Sequence, residues 1–468
     1  MFRKHIPFAF FVSFIFASAF AEVKLPAVIN NNMVLQQQSS VPLWGKASAN
    51  KAVRITTSWD RKSYKAVSDN NGQWRVNVNT PAAGGPYSIT FDDGQKVQLN
   101  NVLIGEVWLC SGQSNMVMPL KGYRNQPTLN GNDIAANAAN PNIRLFHLQR
   151  AVSNVPLDDC KGSWEISSPE TAVDFSAIGF QFAQQLQKIL NVPIGVIESD
   201  WGGTPIEAWM DKPSLASFPD VKIPTPNDPV KAEPHRPTCL FNAMIAPVTG
   251  YGIKGILWYQ GENNASKPTG YDQLMAAMVN GWRKLWNSGD TISFYYVQIA
   301  PYRYPTNRDS IAVLRETQQK AQSEIPNSGM AVSIDAGNEF TIHPENKTVI
   351  SKRLLYWALG DAYHQKGVAY KSPYYQSMEI KNGTAVISLT NAPNGFTSFD
   401  KEITGFEIAG SNKSFYPAEA KIVGTNIQVQ SDKVQTPVSV RYGFKDWAPG
   451  NLYSVEGLPV APFRTDDW

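Results

Sequence analysis

Cysteine and histidine are scarce in this chain, long apolar runs are missing after its first twenty or so residues, and no block of one charge occurs. Three cysteines in 468 residues, Cys110, Cys160 and Cys239, leave at least one thiol unpaired, which excludes a disulfide framework, and their spacing is not that of a zinc finger. If any two pair, Cys160 and Cys239 are the expected ones, because Cys110 lies in an apolar run that reads as a buried strand. The 42 basic and 39 acidic residues are spread along the chain and leave a formal charge of only +3, so no surface for nucleic acid is expected. Internal repeats, low-complexity tracts and metal-binding motifs are also missing.

The one long apolar run stands at the start. Arg3, Lys4 and His5 precede Ile6 to Phe16, and Ala17-Ser18-Ala19-Phe20-Ala21 follows, which is the charged, apolar and small-residue order of a secretory signal peptide cleaved after Ala21. The run is short for a membrane span of about 20 residues. Export to the periplasm or medium is therefore the expectation, without stable membrane insertion.

The length suggests two or three domains at about 150 residues each. From Glu22 to about Asn100, short strand-like runs (Met33 to Leu35, Val41 to Trp44, Val53 to Thr57, Trp74 to Val78, Tyr87 to Phe91) alternate with turn signals, the pattern of an immunoglobulin-like antiparallel sandwich. From about Leu103 to Lys366, strands alternate with amphipathic helices at Ile178 to Leu190, Tyr271 to Leu285, Ile311 to Ser323 and Lys347 to Tyr363. That alternation predicts an α/β domain whose parallel sheet is covered on both faces, with its site at the carboxyl ends of the strands. From Gly367 to Trp468 strands return. The division expected is 1–21 signal peptide, 22–100 β-sandwich, 101–366 α/β domain and 367–468 β-rich domain. The β domains read as scaffold or as sugar-binding modules, since the 13 tryptophans and 18 tyrosines include candidate platforms for sugar faces.

Chemistry concentrates after the strands. Gly105 to Met116 begins with the apolar Val107, Trp108 and Leu109 and breaks into Cys-Ser-Gly-Gln-Ser-Asn-Met. Gly112 lets the chain turn so that Ser114 stands past the strand end among backbone N–H groups, as an acyl-transfer nucleophile requires. This is not the Gly-x-Ser-x-Gly elbow of the α/β-hydrolases. In Glu198 to Trp209, the pair Gly202-Gly203 permits close approach of backbone N–H groups to a substrate oxygen. In Ile256 to Ala265, an apolar strand ends in Gln260-Gly261-Glu262-Asn263-Asn264, amides that donate without changing charge. For a general base the mature chain offers His147, His235, His343 and His364; only His343, in Thr341-Ile342-His343-Pro344, falls between a strand end and a helix start on the same side as Ser114.

Taken together, Gly-Gln-Ser-Asn-Met, the block Glu198 to Trp209, Gln260-Gly261-Glu262 with Asn264, and Val332 to Lys347 resemble the sialate O-acetylesterases, a branch of the SGNH (GDSL-like) hydrolases. The resemblance covers nearly all of the mature chain. It implies an α/β, three-layer SGNH-like domain with a parallel sheet, flanked by an N-terminal β-sandwich and a C-terminal β-rich domain. It implies Ser114 as nucleophile, His343 as base, Gly202 or Gly203 with Asn264 as oxyanion donors (Asn263 being the rival), and Gln260, Glu262 and Arg315 as substrate contacts, Arg315 toward a sugar carboxylate. The substrate implied is an acetylated sugar, with sialic acid foremost, and the scheme calls for no cofactor. One position departs from the pattern: the residue two before the histidine, usually aspartate, is Thr341. Asp335 is the expected replacement, with Glu339 or a backbone carbonyl as alternatives. An acetylxylan or other polysaccharide acetylesterase of the same fold, and a carbohydrate-binding protein without activity, remain the competing readings.

Overall fold

One strand runs through two parts of the molecule and ends at the site. The computed structural model describes residues 23–229, 233–306 and 309–468, so the expected signal segment 1–21 lies outside the described residues. The chain forms β1 (Val34–Gln36), β2 (Ser40–Lys46), β3 (Ala52–Thr57), β4 (Ser63–Val67), β5 (Gln73–Asn79), β6 (Gly84–Asp92) and then β7 (Lys96–Gly112), which is 17 residues long. Strands β2 and β5 pair antiparallel, while β4, β3, β6 and the first half of β7 form a second antiparallel set. Alternation explains the pairing: Val53, Ile55 and Thr57 of β3 are buried while Ala52, Arg54 and Thr56 are exposed. The boundary expected at residue 100 falls inside β7, whose second half enters the central sheet.

The remaining elements of the central region are α1 (Ser114–Val117), α2 (Gly131–Ala136), β8 (Asn140–His147), β9 (Trp164–Ser167), α3 (Pro169–Ala172), α4 (Ala177–Leu190), β10 (Ile194–Asp200), α5 (Lys212–Leu215), β11 (Gly255–Tyr259), α6 (Tyr271–Leu285), β12 (Ser293–Val297), α7 (Asp309–Glu324), β13 (Ser328–Ala331) and α8 (Lys347–Trp357). The strand order is β13-β12-β11-β7-β10-β8-β9, with every pair parallel except β8 with β9. Residues 104–112 of β7 are all buried, as a central parallel strand requires, and their side chains alternate between two cores. Val107 and Leu109 join Met275, Met278 and Trp282 of α6, whereas Trp108 and Cys110 join Phe180, Phe182 and Leu186 of α4 and Leu354 of α8. The chain leaves β7 toward β8 on one side and later returns to β11 on the other. The carboxyl end of β7 is therefore where the strand order reverses, the position at which open α/β sheets bind their ligands.

Beyond α8 the chain forms short antiparallel strands, among them Tyr375–Lys381 with Thr384–Leu389 and Phe406–Ala409 with Ser439–Tyr442, around their own apolar core. Arg315 fastens this region to the sheet, which corrects its expected role as a substrate contact. Fully buried, it donates to the carbonyls of Gly443 (3.2 Å), Lys445 (2.7 Å) and Asp446 (2.7 Å). Beside it Glu316 receives both arms of the Arg464 guanidinium at 2.9 Å. All three cysteines are free thiols, so the Cys160–Cys239 pair does not form.

Candidate active site

Ser114 is the first residue of α1, directly past the end of β7. Gly112 has φ +137°, and a Cβ there would collide with the Tyr259 carbonyl oxygen, so only glycine lets β7 and β11 close up while the chain turns. Gln113 then locks the turn: its N–H donates to Tyr259 O at 2.9 Å, and its Oε1 accepts from Gln260 Nε2 (3.1 Å) and from the N–H groups of Gly261 and Asn263 (3.3 Å each). From the other side the loop after β10 is held by Trp201 N–H to Gly112 O at 3.1 Å. This puts Gly202 so near that an added Cβ would sit 3.2 Å from that of Ser114. Among the described residues the N–H groups of Ser114 and Gly202 take no protein acceptor.

His343 is joined to the serine by two side chains. Asn115 Nδ2 donates to Ile342 O (3.0 Å) and to Glu262 Oε1 (2.6 Å), tying the residue after the nucleophile to the residue before the histidine. Tyr123 donates its hydroxyl to Ser114 O at 2.8 Å and meets the His343 ring edge-on at 5.2 Å. The Nδ1 atom of His343 is 2.7 Å from Gln126 Oε1. A carbonyl oxygen only accepts, so Nδ1 carries the proton and Nε2 keeps its lone pair. Burial, and secondarily the Lys347 ammonium, pull the His343 pKa down to about 4.

Lys347 is itself buried and donates to Asn115 Oδ1 at 2.6 Å; burial lowers its pKa to about 7 against the opposing pull of Glu262 and Glu345. Glu262 is pushed up by burial, and its Oε2 has no hydrogen-bond partner among the described residues. Lysine, asparagine and glutamate thus form one buried bridge under the nucleophile.

The structure does not bring the expected carboxylates to His343. Both oxygens of Asp335 accept from Arg353 at 2.7 Å, and Glu339 pairs with Arg303 at 2.6 Å. The Thr341 hydroxyl accepts from the His343 backbone N–H at 3.3 Å and leaves the ring alone. Gln260 is fully buried, donating to Thr204 O and Asn264 Oδ1 and accepting from the Tyr271 hydroxyl at 2.6 Å, so it supports the loop and is out of reach of substrate. Glu262 likewise braces the loop from within.

Asn264 accepts from Ile206 N–H (3.0 Å) and Gln260 (2.7 Å) and donates to Glu207 at 2.9 Å, while Asn263 donates to Gly203 O at 2.6 Å. Both asparagines therefore anchor the Gly202–Gly203 loop, in place of the oxyanion role expected of Asn264. Asn264→Ala is expected to lower stability by about 1–3 kcal/mol, since two buried donors lose their acceptor. A fall in kcat with an unchanged melting temperature would return Asn264 to the oxyanion site.

The carbohydrate esterase family described as sialic acid-specific acetylesterase matches residues 104–352. The chain belongs to this family. It is 29% identical over 433 residues to a sialate O-acetylesterase of Rattus norvegicus, covering 78% of each chain, and 27% identical over 464 residues to that of Homo sapiens, covering 91% of this chain and 88% of the human one. Among solved structures, a carbohydrate acetylesterase from Xanthomonas citri superposes with a TM-score of 0.87 at 35% identity over 96% of this chain and 100% of that one. The chain is therefore an esterase with a central, mostly parallel α/β sheet. Tyr123 and Gln126 had no sequence signal, for they lie in an irregular loop in which their mutual backbone bonds measure 2.8 and 3.0 Å. Asn115, by contrast, stood inside the motif beside Ser114.

Proposed function

We propose that this esterase is an exported enzyme that removes O-acetyl groups from sugars through an acetyl-enzyme on Ser114. The observation that supports the reading is Tyr123, which donates to Ser114 O at 2.8 Å and meets the His343 ring edge-on at 5.2 Å, beside a Gly202 whose added Cβ would lie 3.2 Å from that of Ser114. Ser114 Oγ attacks the acetyl carbonyl while His343 Nε2 takes its proton. The N–H groups of Ser114 and Gly202 hold the oxyanion, and the imidazolium returns the proton to the departing sugar oxygen. Water, deprotonated by the same Nε2, then releases acetate.

Sialic acid is the substrate the family name suggests. A second reading, a neutral acetylated polysaccharide such as xylan, is favoured by two observations: Arg315 is buried away from any substrate carboxylate, and Phe340, three residues before His343, is 83% exposed, an aromatic face suited to a sugar ring. Acetate release from acetylated sialic acid and acetylated xylan, measured side by side, separates them. Release from neither points to another acetylated sugar, and no acetyl adduct on the peptide containing Ser114 sinks the acetyl-enzyme reading. On the polysaccharide reading, Phe340→Ala raises KM for the polymer several-fold, by about 1 kcal/mol of lost stacking, and leaves a small acetyl ester unaffected.

A further inference from the structure

We infer that Gln126 is the positioning residue of the base, holding His343 through an amide oxygen where a serine hydrolase ordinarily carries a carboxylate. The inference rests on the serine–histidine reading above. Three observations carry it. The Nδ1–Oε1 distance is 2.7 Å, the length of a fully formed hydrogen bond. Each acidic candidate in the segment is committed elsewhere, Asp335 to Arg353 and Glu339 to Arg303. The loop bearing Gln126 is also the loop whose Tyr123 binds Ser114 O, so one structure sets both reacting groups.

An amide oxygen and a carboxylate differ in one respect. Both fix the tautomer and the ring; only the carboxylate stabilises the imidazolium by charge. The charged or titratable groups around His343 do not supply that charge directly. Lys347 of α8 opposes protonation, Tyr123 is neutral, Glu262 lies behind Asn115, and Glu345 accepts from Asn338 at 2.9 Å. The base therefore stays unprotonated well into acid. The acid limb of kcat/KM is expected about two pH units below the ordinary histidine value of about 6.5.

The test is the pH dependence of kcat/KM for the native enzyme, Gln126→Glu and Gln126→Leu between about pH 3 and pH 9 on a small acetyl ester. Gln126→Glu is expected to move the acid limb up by about one unit or more. Gln126→Leu is expected to lower kcat about 10²-fold with KM unchanged. A limb that coincides in the native and Glu enzymes overturns the inference, and this arm decides even if the Leu variant fails to fold. Turnover surviving in Ser114→Ala would instead sink the underlying reading. An inactive Ser114→Ala beside native-like Gln126 variants removes only the role of Gln126.

Discussion

Ser114→Ala and His343→Ala are each expected to reduce kcat by about 10³-fold or more, and the double variant to be little worse than either, because nucleophile and base act as one unit. Neither side chain holds the fold together. Ser114 is partly exposed on a one-turn helix, and the histidine loop keeps its backbone anchors through Asn115 Nδ2 to Ile342 O and the Thr341 hydroxyl. Melting temperatures of both variants should therefore stay within a few degrees of native. The residual rate should still reflect the two backbone donors at Ser114 and Gly202, which survive the substitutions. Steady-state kinetics with acetate detection, combined with thermal unfolding, checks both halves of the expectation. Near-native turnover in either variant would require a different catalytic pair.

Asp335→Ala should give the opposite signature, a large loss of stability with little direct effect on chemistry. The carboxylate and Arg353 are mostly buried, their side chains 12% and 6% exposed, and the pair is bidentate, with Arg353 also donating to Val332 O at 2.7 Å. Removing the acid leaves a guanidinium in the core without its counter-charge, at about 3–5 kcal/mol for a broken buried pair. Arg353 of α8 thereby clamps the end of the β13 segment, from which the chain continues to His343. Denaturant titration should show the midpoint falling while kcat of the folded protein, measured at low temperature, remains within a few-fold of native. If stability held and kcat collapsed, Asp335 would belong to the catalytic group after all.

The polymer-dependent effect of Phe340 and the acid limb set by Gln126 differ in kind from these. They concern which substrate is held and at what pH the base works, and they are read from KM and pH profiles. Both residues lie on loops carried by the sheet, where binding groups are expected when strands end at a reversal of their order.

Much of the architecture follows from local pattern. The buried run at Val107 to Leu109, the helix at Tyr271 to Leu285 and the glycine before Ser114 are dictated by periodicity and by backbone freedom at Gly112, which neighbouring residues alone reveal. The expectation that His343 is the base rests on the same kind of signal, its place between a strand end and a helix start. What only the tertiary structure decided is which polar groups meet. Asp335, Arg315, Gln260 and Asn264 carry the side chains expected of a site, yet each is committed to a partner distant in sequence, Arg315 as far away as Asp446. Gln126, a neutral residue in an irregular loop, reaches the imidazole across 217 positions of chain. Hydrogen-bond partnership depends on distances of about 3 Å between atoms that sheet order brings together, and strand order is a property of the whole packed sheet that no single segment encodes.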